Sequence, residues 1–140
     1  MDFRVFAREA GTVVKYERDD VIFRERDPPD FMYIVLAGSV EILSHGKVIE
    51  TIAEGKALGF ASIIDLQPRA TTGRAREPCE LAVINRRKFR YMVDELPYFG
   101  WYVMLELTHR LRMLNASLEN AGNIRTDLPS RRRHTVTPMA

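Results

Sequence analysis

Hydrophobic residues between positions 12 and 52 occur in short runs that are separated by clusters of turn-forming residues. Valine, isoleucine and aromatic residues dominate the runs, whereas aspartate, proline, glycine and serine fill the gaps. Short strands joined by turns at this spacing are typical of a small sandwich or barrel. A tight hairpin is expected at His45-Gly46. The predicted strands cover 13–16, 21–23, 31–36, 39–43, 47–52, 71–76 and 80–84.

Other parts of the chain have helical patterns. The sequence predicts helices over residues 2–9, 60–65, 86–95 and 98–121. Asn85 is a good N-cap for the third helix, and Pro97 separates the third helix from the fourth. We expect Gly122 to end the fourth helix, since glycine commonly follows the last helical turn.

The fourth predicted helix carries leucines at alternating spacings of four and three residues, namely Leu107, Leu111, Leu114 and Leu118. This a/d spacing is typical of an apolar seam that packs against another element. Two interpretations are open. The seam packs against the strands of its own chain, or it pairs with a partner helix, which would make the protein a homodimer.

The net charge of +2 is unevenly distributed along the 140 residues. Residues 122–140 hold four arginines and one aspartate, a net +3, so residues 1–121 carry −1. We therefore divide the chain into a single domain, 1–121, and a basic tail, 122–140, that we expect to be flexible. The Arg131–Arg133 run is typical of a solvated tail, although such a run can also contact nucleic acid or an acidic partner. We do not expect a nucleic-acid partner.

Several classes of protein are not expected from this sequence. No apolar run approaches the roughly 18 residues of a membrane span. Charged residues interrupt the N-terminal segment, which is not the pattern of a secretory signal. We therefore expect a cytoplasmic location. Cys79 is the only cysteine. The three histidines, His45, His109 and His134, lack metal-ligand spacing. With no nucleophile–base pair or paired carboxylates in a supporting context, we predict neither an enzyme nor a metal site.

The stretch from Leu58 to Ala75 has the pattern of an anion site. Gly59 leads into a short helix, whose first backbone amides attract an anion. Arg69 follows a loop and can place its planar guanidinium against a phosphate. The small residues after it, Ala70 and Thr71, let backbone amides approach as well.

This stretch is similar to the phosphate-binding cassette of the cyclic nucleotide-binding domain family, whose pattern is Phe-Gly-Glu-Leu/Ile-Ala-Leu, a spacer, and Pro-Arg-Ala-Ala-Thr-Val. The resemblance extends over roughly 12–115 and includes Val21-Ile22-Phe23, the run from Asp27 to Val35, and Gly38 to Ile42. Arg26 stands where the family has a glycine. The resemblance implies an α+β, mainly β fold: an eight-stranded β-roll of the jelly-roll type, flanked by a short N-terminal helix and two C-terminal helices.

The resemblance also implies roles for individual residues. Arg69 would bind the cyclic phosphate, assisted by Gly59, Ala61, Ser62, Ala70 and Thr71. Alanine directly after the arginine resembles the pattern that prefers cAMP to cGMP, so cAMP is the expected ligand if one binds, and no other cofactor is implied. The leucine-bearing helix would cap the base and transmit ligand binding.

Phe60 departs from the family pattern because it stands where the family has the glutamate that accepts from the ribose hydroxyl. Loss of that hydrogen bond costs about 1.5–3 kcal/mol, or roughly 10- to 150-fold in affinity. Gly73 also replaces a β-branched residue. On an alternative interpretation Arg69 is a surface arginine paired with a carboxylate such as Asp65, and Phe60 is an ordinary core or pocket-filling aromatic.

We therefore predict a non-catalytic regulatory domain with a compromised ribose site and poor or no binding of cAMP and cGMP. It would act as an interaction or dimerisation module with a protein partner that the sequence does not identify. The alternative is a genuine cAMP-sensing module that transmits ligand binding through its C-terminal helix. A bacterial-type transcription regulator is not expected, because about 20 residues without helical pattern follow Ala121.

Overall fold

A computed structural model describes residues 3–125, within which eight strands and four helices form. The chain divides into two compact units, residues 1–102 and residues 103–140. The elements in chain order are α1 Arg4–Ala10, β1 Thr12–Tyr16, β2 Val21–Phe23, β3 Phe31–Ala37, β4 Val40–Ser44, β5 Lys47–Ile52, β6 Ala57–Leu58, α2 Phe60–Asp65, β7 Thr72–Ala75, β8 Cys79–Asn85, α3 Arg86–Glu95 and α4 Phe99–Arg125.

The strands form two antiparallel sheets of four strands each. One sheet has the order β1-β8-β3-β6 and the other the order β2-β7-β4-β5. Apolar side chains from both sheets form one core, so the two sheets pack face to face. Its buried members are Phe23, Tyr33, Val35, Val40, Ile42, Ile52, Leu58, Ala75, Cys79 and Leu81. The predicted β-roll with flanking helices is confirmed.

Strand β3 is buried on both of its faces. Tyr33 and Val35 belong to the core between the sheets, and Met32 and Ile34 alternate with them and are also fully buried. The second face contacts helices α1, α2 and α3. A strand that is buried on both faces has apolar residues at successive positions, which is why residues 31–36 do not alternate between apolar and polar.

Two local predictions are confirmed in detail. At the hairpin between β4 and β5, His45 and Gly46 have φ angles of 51° and 78°, as a type I′ turn requires. Helix α3 begins at Arg86, and the Asn85 side chain accepts a 2.8 Å hydrogen bond from the backbone N–H of Lys88. The N-cap therefore satisfies one of the amides that a helix start leaves without an intrahelical partner.

Other boundaries differ from the predictions. Strand β6 was not predicted because its two residues are too short to show a period. Helix α4 continues to Arg125, so the prediction that Gly122 ends it is wrong. A glycine inside a helix costs only about 1 kcal/mol relative to alanine, which a long helix tolerates. The Arg131–Arg133 run and His134 lie outside the described residues, and the boundary between domain and tail stays a prediction.

Among residues 3–125, no helix has the length and apolar character needed to cross a lipid bilayer.

Candidate functional site

Arg69 lies in the loop between α2 and β7, and its side chain points into the protein. The residue is only 5% exposed, and with Ser39 it is one of two polar or charged residues buried in the described part of the chain. Its Nη1 donates a 2.7 Å hydrogen bond to the carbonyl oxygen of Gly59, and its Nη2 donates to the carbonyl oxygen of Phe31. The alternative of a surface arginine paired with Asp65 is therefore wrong. The Asp65 carboxylate instead accepts from the backbone N–H of Gln67 at 3.1 Å.

Two aromatic rings lie beneath the guanidinium. The Arg69 Cζ is 4.4 Å from the centroid of the Phe23 ring and 5.9 Å from that of Tyr33. The two rings stack on each other, with centroids 5.9 Å apart and an interplanar angle of 15°. A cation over an aromatic face is attracted by the ring quadrupole, and more strongly where water is excluded.

The charged guanidinium of Arg69 is largely shielded from water. Burial lowers the pKa of Arg69, and Tyr33, Asp30 and Asp27 oppose that shift. The side chain nevertheless stays protonated at neutral pH. The Gly59 and Phe31 carbonyls that accept from it are neutral, the Tyr33 side chain also interacts with it, and its buried Nε has no hydrogen-bond partner. The two carbonyl contacts use two of the five N–H donors of the guanidinium and, being to neutral groups, leave most of its positive charge uncompensated.

The backbone of Arg69 is held by the loop between β2 and β3. The N–H of Arg26 donates to the Arg69 carbonyl at 2.8 Å, and the N–H of Arg69 donates to the Asp27 carbonyl at 3.0 Å. Asp27 in turn accepts from the N–H of Arg24 through its carboxylate at 2.9 Å. Arg26 has a φ of 77°, in the left-handed region that glycine occupies most readily. This is the position at which the family pattern has glycine.

Gly59 is required by the geometry at the start of α2. Its φ is 78°, and a Cβ built on it would lie 2.8 Å from Nη1 of Arg69. Phe60, the first residue of α2, is fully buried. Phe60 is thus a core aromatic, as the alternative interpretation held, and it brings no carboxylate to the start of the helix.

The other predicted cassette residues are less involved with Arg69. Ala61 and Ala70 are exposed, whereas Ser62 and Thr71 are partly buried. The Ser62 carbonyl accepts from the N–H of Leu66, which closes the C-terminus of α2. Of the predicted phosphate-binding set, the structure brings Gly59 directly against the Arg69 side chain. Its role as a nucleotide site stays a prediction.

Sequence reasoning missed the residues that contact the Arg69 side chain from across the fold, Phe23, Phe31 and Tyr33. Phe23 and Tyr33 lie in predicted strands, so strand alternation could have placed their rings inside the roll. The Phe31 contact is made by its backbone carbonyl, so no pattern of side chains in the sequence predicts it.

The leucine seam belongs to the second unit. Leu107, Leu111, Leu114 and Leu118 lie on α4 and are between 37% and 62% exposed. The described residues contain no group of three or more His, Cys, Asp or Glu side chains arranged to hold a metal ion.

A family model described as "Cyclic nucleotide-binding domain" matches residues 13–95 of the chain. Human Rap guanine nucleotide exchange factor 3 is 28% identical over 136 residues, which cover 92% of this chain and 14% of that protein. The cAMP-dependent protein kinase regulatory subunit of Yarrowia lipolytica is 28% identical over 122 residues, which cover 87% of this chain and 30% of that protein. The chain thus spans less than a third of the length of these relatives.

Among solved structures, the chain resembles the catabolite activator protein of Thermus thermophilus with a TM-score of 0.74 and 22% sequence identity. The match covers 84% of this chain and 58% of that one. At this identity the likeness concerns the fold, and it agrees with the two-sheet roll described above.

Proposed function

Because this chain belongs to the cyclic nucleotide-binding domain family, we propose that it is a non-catalytic regulatory domain whose ribose site is compromised and which binds cAMP and cGMP poorly or not at all. One observation carries the proposal. Phe60 is a fully buried aromatic at the position of the ribose acceptor, while the Arg69 side chain donates to carbonyls of its own chain. The relatives' names supply the regulatory role and cAMP as the ligand to test. A cytoplasmic location stays a prediction.

The energetic argument has two parts. A nucleotide phosphate would have to draw Arg69 away from the carbonyls of Gly59 and Phe31, so the hydrogen bonds gained are offset by hydrogen bonds lost. The sugar would then find no acceptor at position 60, at a cost of about 1.5–3 kcal/mol. Together these terms place cyclic nucleotide affinity well below that of a site with both groups available.

The binding experiment compares the wild type, Phe60→Glu and Phe60→Leu by calorimetry and thermal shift with cAMP and cGMP. The wild type and the Phe60→Leu control should bind both nucleotides with Kd values of about 1 mM or weaker. A folded Phe60→Glu variant should gain roughly 10- to 150-fold in affinity because it restores the acceptor. A wild-type ligand at 100 times its Kd would stabilise the fold by about 2.7 kcal/mol, and such a shift at micromolar nucleotide would overturn the proposal.

The second part of the proposal is that α4 pairs with a second copy through the leucine seam. Exposed leucines at a/d spacing support it, since such seams are stable when buried against another helix. Sedimentation should find a wild-type dimer and a Leu111→Glu monomer. Met113 is as exposed but lies off the seam, so Met113→Glu should remain a dimer. A monomeric wild type would refute dimerisation and leave docking to another protein.

The alternative, a cAMP sensor that signals through α4, is favoured by one contact. The N–H of Ala57 in β6 donates to the Tyr102 hydroxyl at 2.9 Å, which ties the first turns of α4 to the strand just before the cassette. Trp101, the single tryptophan, neighbours Tyr102 and is 59% exposed. A saturable change of Trp101 fluorescence with cAMP would support the sensor, and an unchanged spectrum up to about 1 mM would support poor binding.

A further inference from the structure

We propose that Phe23, which packs against Gly73, is a positioning residue for Arg69. It holds Arg69 in a closed orientation, in which the guanidinium donates to the carbonyls of Gly59 and Phe31, and so limits the binding of an anionic ligand to Arg69. The inference rests on the proposed function, because it explains what keeps the Arg69 side chain on carbonyls of its own chain. Phe23 acts through Arg69 and is not itself a ligand contact.

The Phe23 ring is fixed on three sides within the core. Phe23 is the last residue of β2 and is only 6% exposed, and its ring stacks on that of Tyr33. Its face toward Arg69 lies 4.4 Å from the guanidinium carbon. The ring therefore supports the buried cation from below, while the carbonyls of Gly59 and Phe31 hold its two amino groups.

Gly73 makes this position of the ring possible. Phe23 and Gly73 are register partners in the β2–β7 pair. A Cβ built on Gly73 would lie 2.7, 2.9 and 3.3 Å from three carbons of the Phe23 ring. Those contacts are too short for a rigid, stacked ring to accommodate. A side chain at position 73, such as the β-branched residue of the family pattern, would thus displace the ring.

The consequence concerns Arg69 rather than the strand. If the ring moves, the guanidinium loses the nearer of its two aromatic contacts and keeps the carbonyl contacts and its interaction with Tyr33. The attraction between a cation and an aromatic ring changes an equilibrium constant by about two- to thirtyfold, here the constant between the two orientations of Arg69. Displacing the ring should therefore shift the equilibrium by that factor toward an open orientation, in which Arg69 has left the two carbonyls.

The test observes Arg69 directly through the NMR signal of its Nε–H, assigned by its loss in Arg69→Lys. In the wild type this proton should be shifted upfield by the Phe23 ring current and should exchange slowly, because Nε is buried away from water. Gly73→Val and Phe23→Leu should each abolish the upfield shift and speed exchange. Phe89→Leu is the matched control, since Phe89 is equally buried but its ring contacts Phe99.

The wild type, Gly73→Val, Phe23→Leu and Phe89→Leu are then titrated with inorganic phosphate and with cAMP. Gly73→Val and Phe23→Leu should bind about two- to thirtyfold more tightly than the wild type, and Phe89→Leu should match the wild type. If Gly73→Val does not fold, Phe23→Leu alone decides. An unchanged Arg69 signal in Phe23→Leu would overturn the inference, as would a released Arg69 without any gain in binding. Micromolar cAMP binding by the wild type would instead overturn the proposed function, whatever the NMR signal shows.

Discussion

The Nη1 of Arg69 donates a 2.7 Å hydrogen bond to the carbonyl oxygen of Gly59, the residue just before the cassette helix α2. The contact joins the two ends of the cassette, because Gly59 precedes α2 and Arg69 precedes β7. An arginine that could hold a ligand's phosphate here holds the protein's own backbone. A hydrogen bond between its own residues thus closes the cassette, and the stability of the cassette should be sensitive to both residues.

The first prediction concerns Gly59→Ala. The substitution forces a Cβ into the left-handed region, which costs about 1–2 kcal/mol, and places it 2.8 Å from Nη1 of Arg69. Gly46 is a matched control, with the same φ of 78° and nothing within 4 Å of its Cβ. In urea unfolding, Gly59→Ala should lose more stability than Gly46→Ala, and only Gly59→Ala should move the Arg69 Nε–H signal. Equal losses would show that the close approach to Arg69 has no energetic weight.

The second prediction is that Arg26→Gly stabilises the protein. Arg26 pays about 1–2 kcal/mol for its φ of 77°, whereas glycine adopts that conformation freely and loses about 0.5–1 kcal/mol in backbone entropy. The free energy of unfolding should rise by up to about 1.5 kcal/mol. Arg24→Gly in the same loop controls for the added entropy and should lower stability. Destabilisation by Arg26→Gly would mean that the arginine side chain contributes a contact that outweighs its backbone strain.

Much of the fold could be predicted because it follows from local signals. The boundaries of α2 and α3, the Asn85 cap and the His45-Gly46 turn each depend on residues within a few positions of one another. Strand β6 and the end of α4 could not be predicted in the same way. A two-residue strand exists only because β3 lies beside it, and a long helix can absorb Gly122.

The site was predicted less completely, for a physical reason. The position of Arg69 in the cassette is readable from its neighbours in sequence, but its acceptors include a carbonyl 38 residues away. Every residue has a carbonyl, so the sequence gives no sign of which one accepts. Whether Phe60 fills a pocket or the core likewise depends on packing that the motif alone does not determine.

The third prediction concerns alkaline pH. Burial is the main cause that raises the pKa of Cys79, Tyr16 and Tyr33. The unfolded chain then ionises first, beginning near pH 8.5 for cysteine and 10 for tyrosine, so above about pH 8.5 the native state binds more protons. Stability should be fully retained below that range and should fall as the pH rises through it.

This pH dependence can be measured by urea unfolding between pH 7 and about pH 10.5. Cys79→Ala should lose the early part of the decline when each protein is compared with its own value at pH 7. A flat profile in the wild type would contradict the assignment of these groups as buried and neutral.

The fourth prediction tests the link between α4 and the roll. Tyr102→Phe removes the hydroxyl that accepts from the N–H of Ala57, a residue only 1% exposed. A buried amide without an acceptor costs about 1–3 kcal/mol, so the variant should lose that much stability in urea unfolding. Hydrogen exchange at Ala57 should also accelerate, because the amide loses its protection.

Tyr98→Phe is the control for the loss of a tyrosine hydroxyl, since Tyr98 is 66% exposed and its removal should change stability by less than about 0.5 kcal/mol. If the two variants behave alike, the hydroxyl of Tyr102 does not anchor the helix, and a cAMP signal could not travel to α4 through β6 by this route. If Tyr102→Phe alone is destabilised, the contact connects β6, the strand just before the cassette, with the first turn of α4. A ligand would then act on α4 only by interacting differently with the two states of that connection.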